Sequence, residues 1–215
     1  MARELAKKIG YVYIDSGAMY RAVTLAALRN GLISADGKID THGLIALLPE
    51  ISITFSTPDP VSGSSHTLLN GGNVESEIRG MEVSEHVSAV SAIPEVRRRL
   101  TAMQQALGDS KGIVMDGRDI GTTVFPEAEM KVFVDASPEV RAKRRYAELK
   151  AKGDDISYAE VEANIRKRDE TDINRKESPL RKAPDAHILN NDTLSRTEQM
   201  EWLTGLFHQI TSGMQ

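Results

Sequence analysis

Gly112-Ile113-Val114-Met115-Asp116-Gly117-Arg118-Asp119 sets a short apolar run directly against a loop carrying two acids and a guanidinium. A run this short and rich in β-branched residues reads as a buried strand, and the charged loop marks its end. The same pattern recurs on either side. Tyr11-Val12-Tyr13-Ile14 runs into Asp15-Ser16-Gly17, after which Ala18 to Arg29 reads as a helix closed by Asn30-Gly31. Lys131-Val132-Phe133-Val134 ends at Asp135, with Ser137 as N-cap and Pro138 opening a long charged helix. His187-Ile188-Leu189 precedes an amphipathic helix from about Ser195 to Ile210. Apolar strands alternating with helices predict an α/β fold, a parallel sheet with helices on both faces. In such sheets ligands bind at the carboxyl ends of the strands, where Asp15-Ser16, Asp116 to Asp119 and Asp135 would gather.

Three segments depart from that alternation. Met1, Leu5 and Ile9 recur at helical spacing before Gly10, so the chain opens inside an amphipathic helix with no N-cap ahead of it. Residues 36–80 are β-rich: Ile51 to Phe55 alternates, residues 56–65 form a loop of Ser, Pro and Gly, and His66 to Asn70 pairs back as a hairpin before Gly71-Gly72. Glu82 to Leu107 is helical, broken near Pro94. A length of 215 residues suits one domain, with 36–80 as an insertion.

Composition narrows the chemistry. The chain has no Cys, and its five His show no metal-ligand spacing, so neither a disulfide nor a structural metal is expected. A net charge of −4 and few aromatics oppose a nucleic-acid-binding module, despite basic residues at 141–145 and 166–168. No apolar run approaches the roughly 20 residues that span a bilayer, and the first residues are not a signal peptide, so no membrane partner and a cytoplasmic location are expected.

Asp116-Gly117-Arg118-Asp119 can be read as a solvated loop with an internal ion pair, or as a site where Arg118 binds phosphate and a carboxylate takes a ligand's amino group. Arg168, Asp172 and Arg175 fall at i, i+4 and i+7, so they belong either to a salt-bridged exposed helix or to a clamp for phosphate and a sugar hydroxyl. Arg141, Arg144 and Arg145 form a basic helix face before the turn at 150–155. Ser88 and Arg97 read from local sequence as exposed helix residues.

Asp15-Ser16-Gly17-Ala18-Met19-Tyr20-Arg21, Asp116-Gly117-Arg118-Asp119-Ile120-Gly121-Thr122, and Arg168-Asp169 with Asp172-Ile173-Asn174-Arg175 together resemble the cytidylate kinase family, in its order and over essentially the whole chain. The resemblance implies one kinase domain over 1–215 with the P-loop NTPase-like sheet, a monophosphate-binding insertion at 36–80 and a lid at 148–172. It implies transfer of the ATP γ-phosphoryl group, with Mg²⁺, to CMP or dCMP by a monomer. Ser88, Arg97 and Asp119 would read cytosine. Arg21, Arg118, Arg168 and Arg175 would surround the phosphates, Ser16 and Asp172 would approach the acceptor's phosphate or sugar, and Arg141, Arg144 and Arg145 would serve the lid and ATP. A kinase of another monophosphate such as UMP, a small hydroxy-acid kinase, and a non-catalytic nucleotide-binding remnant are the competing readings.

Members of this family open on a strand and a G-x-x-x-x-G-K-[ST] loop that holds the ATP phosphates and Mg²⁺. These 215 residues contain no such sequence, and the Asp15-Ser16-Gly17 match places Met1 about one residue beyond that loop. The expectation is therefore of a start chosen downstream of the true one, a missing first strand, and little kinase activity from the chain as written.

Overall fold

A computed structural model of the chain describes residues 1–57, 59, 65–151 and 153–213. The sequence-predicted loop at 56–65 and lid at 148–172 therefore include positions (58, 60–64 and 152) outside the described residues. Helix α1 (Ala2–Ile9) has no side-chain cap at Met1 and stops at Gly10, whose φ of 74° is the left-handed conformation that glycine adopts without strain. Strand β1 (Val12–Asp15) leads straight into α2 (Ser16–Arg29), and Asp15 caps that helix by accepting from the Ala18 N–H at 3.0 Å.

Helix α2 is apolar nearly all round, as a helix at the centre of a core must be. Ala18, Met19, Ala22, Val23 and Ala27 are fully buried on it. Around it pack α3 (Thr41–Leu47), α4 (Met81–Ser91), α5 (Pro94–Gly108) and an antiparallel sheet of β2 (Ile53–Phe55), β3 (Thr67–Leu69) and β4 (Gly72–Asn73), all contributing to one cluster. The hairpin expected from Ile51 to Asn70 is thus present, with Ile53 opposite Leu69.

Strand β5 (Ile113–Asp116) pairs in parallel with β1, in a register that sets Asp15 beside Asp116. Strands β6 (Val132–Asp135) and β7 (His187–Asn190) form a second parallel pair, with Asp135 beside Asn190. The sequence predicts one parallel sheet; among the described residues the four strands form two separate pairs. They share a smaller core nonetheless, since Val114 of β5 and Val132 of β6 both pack on the cluster of Leu5, Leu189, Met200 and Leu203, to which α1 and the last helix, α8 (Arg196–Ser212), contribute.

Helices α6 (Pro138–Ala151) and α7 (Tyr158–Asn174) lie against each other as an antiparallel hairpin. Ser157 and Glu160 close a reciprocal capping box at the start of α7, as Ser195 and Glu198 do for α8. Among the described residues no helix is long and apolar enough to cross a membrane.

Candidate active site

The carboxyl ends of β1 and β5 are stitched together by Ser16, whose buried hydroxyl donates to the Asp116 carbonyl at 2.6 Å. Gly117 permits this approach: a Cβ there would lie 2.4 Å from Ser16 Oγ and inside the side chain of Ile120. Tyr13 donates its hydroxyl to Asp116, 3.1 and 3.2 Å from the two carboxylate oxygens, and Arg3 lies over its ring at 5.1 Å. Burial, then the Asp15 charge, raise the Asp116 carboxyl above its ordinary range.

The loop after β5 splits its two remaining charges between two environments. Asp119 turns inward and accepts from Arg97 Nη2 at 2.6 Å, with both side chains almost wholly buried. Local sequence alone reads Arg97 as an exposed helix residue, whereas the resemblance gives it a role at the base; it is 1% exposed. It projects from the Val96, Leu100 and Gln104 face of α5, where burial is decided by a partner 22 positions away that local sequence does not reveal. Its Nη1 reaches the Ser91 carbonyl at 3.2 Å, and its guanidinium stands 5.2 Å above the Tyr20 ring. Ser88 lies half-buried on α4, one turn before Ser91.

Arg118 turns outward and donates from Nε to Asp172 at 2.9 Å, so of the two readings of this loop the solvated one with an internal ion pair is not what forms: both charges pair outside the loop. Asp172, buried near the end of α7, also accepts from Arg175 Nη1 at 3.1 Å and lies 4.0 Å from Arg168. Arg175 is not on the expected helical face: it is the C-cap, with φ −63° and ψ 145°. From there its Nη2 approaches Asp119 Oδ1 at 3.8 Å, joining the two halves. Arg97, Asp119, Arg175, Asp172, Arg118 and Arg168 thus form one continuous network in which four guanidiniums share two carboxylates.

The surplus of positive charge extends to α2. Arg21 donates to Ile78 O and Ser84 Oγ, at 3.2 and 2.9 Å. Burial first, then the charges of Arg168 and Arg79, lower its pKa to about 10. Burial and Arg118 lower that of Arg168; burial and Arg97 lower that of Arg175. Cations that depress one another in this way are stabilised by an arriving anion.

The three arginines of α6 separate. Arg141 makes a two-point bond to Asp169 of α7, at 2.8 and 2.5 Å, and Arg144 donates to the Asn191 carbonyl at 2.8 Å. Arg145 pairs with Glu148, and its charge bears on both Arg21 and Arg168. Sequence reading missed Arg79, which donates from Nη2 to Asp15 at 2.7 Å and to Glu75 at 3.0 Å. The i, i+4 spacing of Glu75 and Arg79 was its only local signal. Tyr20 and Gln104 were missed as well; Gln104 lies seven positions after Arg97, on the same face of α5.

A strand-to-helix turn at the carboxyl end of parallel strands, bordered by crowded guanidiniums and few acids, defines a phosphoryl-transfer protein of the nucleotide-binding α/β class. Comparison with known proteins gives the particular family. The cytidylate kinase family model matches residues 1–209. The chain is 54% identical to a cytidylate kinase of Bacteroides thetaiotaomicron over 98% of this chain and 91% of that one, and 56% identical to one of Bacteroides fragilis over 94% and 88%. It is 52% identical to one of Porphyromonas gingivalis over 98% and 91%. The chain belongs to the cytidylate kinase family. The expectation of a misplaced start and an inactive chain gains no support from these matches.

Proposed function

We propose that this cytidylate kinase transfers the γ-phosphoryl group of ATP to CMP or dCMP, and that the Arg97–Asp119 pair selects the base. The buried pair is the observation that carries the reading: a carboxylate and a guanidinium held 2.6 Å apart, away from solvent, offer an acceptor and donors side by side. Cytosine presents the complement, an exocyclic amino donor beside ring acceptors. Uracil puts an oxygen where the amino group stood and would face Asp119 with an acceptor, a mismatch that buried sites discriminate against strongly. Ser88 lies on the neighbouring helix as the third base-side group.

At the other end Arg21, Arg118, Arg168 and Arg175 hold the acceptor's phosphate in line and offset the charge gathered in the transition state; the chemistry calls for positioning and neutralisation, and no side chain is needed as a nucleophile. Ser16 and Asp172 approach the phosphate and sugar. The insertion at 36–80 closes the monophosphate side, and the segment 148–172, from the end of α6 through most of α7, forms the lid. Of the three arginines of α6, Arg145 is the one whose charge is felt by Arg21 and Arg168 and would add to theirs at the phosphates, while Arg141 and Arg144 are held by Asp169 and the Asn191 carbonyl. Among the described residues no group of three or more His, Asp or Glu is placed to hold a metal. Mg²⁺ is commonly bound by one or two carboxylates plus substrate phosphates. Asp116, beside Asp15 at the carboxyl ends of β1 and β5, would be the carboxylate offered to such an ion. When bound, the ion would supply further neutralisation of the phosphates. The family reading carries with it a monomeric, cytoplasmic enzyme.

A coupled assay of ADP release with CMP, dCMP, UMP and AMP tests the assignment. Turnover with CMP and dCMP and a much lower kcat/KM with UMP and AMP is expected; equal turnover of UMP and CMP would refute the base-reading role.

A further inference from the structure

Behind the base-reading pair lies a group of polar atoms with no role in the network above. The Tyr20 hydroxyl, both carboxamide atoms of Gln104 and Arg97 Nε are buried and, among the described residues, make no hydrogen bond. Gln104 is 1% exposed and Tyr20 8%. Enclosing a carboxamide unbonded is costly, and an aliphatic side chain of the same length would fill the space without that cost. Gln104 shares the buried face of α5 with Arg97, seven positions earlier, and α5 packs on α2, the helix that carries Tyr20, so its carboxamide also bears on the Tyr20 hydroxyl. Burial, only partly offset by Arg97, pushes the hydroxyl up to about 12, so it remains a donor at neutral pH. On its other side the Tyr20 ring presents its face to the Arg97 guanidinium at 5.2 Å. A chain of contacts therefore runs from Gln104 through Tyr20 to Arg97 and on to Asp119.

We propose that Gln104 and Tyr20 are positioning residues for base selection: the carboxamide orients the phenol, and the ring in turn fixes the tilt of Arg97 beside Asp119. Neither touches the nucleotide. Bonds of this kind are often incomplete before substrate arrives and close in the complex. The proposal rests on the base-reading role of Arg97 given above.

The test uses Tyr20→Phe, Gln104→Met, their double variant and Arg97→Met, each assayed with CMP and UMP alongside thermal melting. Tyr20→Phe and Gln104→Met are each expected to raise KM for CMP about tenfold, the scale of one lost hydrogen bond, with kcat changing far less and UMP kinetics unmoved. The double variant should be no worse than either single one, because the two act as a unit. Gln104→Met should melt no lower than the native chain, having lost an unbonded buried amide, so a specificity change cannot be laid to unfolding. Tyr20→Phe, which removes one oxygen, serves alone if Gln104→Met does not fold. If the CMP-to-UMP ratio falls in Arg97→Met but holds in the other two, the positioning role is wrong and the base reading stands. If it holds in Arg97→Met as well, the base reading fails and takes the inference with it.

Discussion

The two ends of the candidate site are built from the same side chains in opposite surroundings. At the proposed base end Arg97 and Asp119 are sealed from water; at the proposed phosphate end Arg118 and Arg168 are each 41% exposed, around a buried Asp172 that they share with the buried Arg175. A buried pair cannot rearrange cheaply, since parting it strands a desolvated charge, so its geometry is fixed before the substrate comes and suits recognition of a base edge. A cluster with exposed arginines and more cations than anions is more adaptable and weakly self-repelling, and on the proposed reading would receive phosphates that move during the reaction. The proposed function thus gives specificity to the rigid end and charge neutralisation to the softer one.

The contrast is tested most severely by Asp119→Ala, which leaves Arg97 buried without its carboxylate. A loss of about 3–5 kcal/mol of stability is expected, read by chemical denaturation, together with loss of discrimination between CMP and UMP. Arg168→Met should do the reverse, lowering kcat about 10²–10³-fold, the scale of a lost transition-state donor, while stability is unchanged or slightly raised because one of the crowded cations is gone. A melt like that of Asp119→Ala would erase the distinction. A smaller effect is expected of salt: raising ionic strength from about 0.01 to 0.15 M, which shortens the screening length severalfold, should weaken the binding of CMP in calorimetry while leaving the CMP-to-UMP preference intact.

The smallest effect concerns Asp116, at the carboxyl end of β5. Its carboxyl is raised in the folded chain, so the folded state binds that proton more tightly than the unfolded one. Its contribution to stability is then complete at acid pH and declines as pH climbs from the ordinary aspartate value of 3.8 through the raised one. Asp116→Asn should abolish that decline, and parallel pH profiles of melting temperature for the two proteins would contradict the sign.

Most of the scaffold was legible because its signals are local. Asp15, Ser157 and Ser195 cap the helices that follow them, Pro94 opens α5, and Ile53 to Phe55 alternates as a hairpin strand should. The site was legible in its residue types and hidden in its pairings. Arg97, Arg98 and Arg99 stand in sequence as three equal cations, yet Arg97 alone of the three is buried, because its carboxylate comes from a loop 22 residues away. Arg141, expected near ATP, is held by Asp169, and nothing within one helical turn predicts that bond. The division of the parallel strands into two pairs likewise depends on contacts between distant segments.

Asp15 offers one carboxylate oxygen to the first turn of α2 and the other to Arg79, which Glu75 also grips while accepting from the Thr67 N–H and hydroxyl of β3. Any swing of the β-rich segment away from the core must part Arg79 from Asp15, yet the arginine leaves with Glu75 still attached and the aspartate remains seated on its helix. The joint therefore works like a spring catch, releasing without exposing a bare ion on either half and finding the same seat on return.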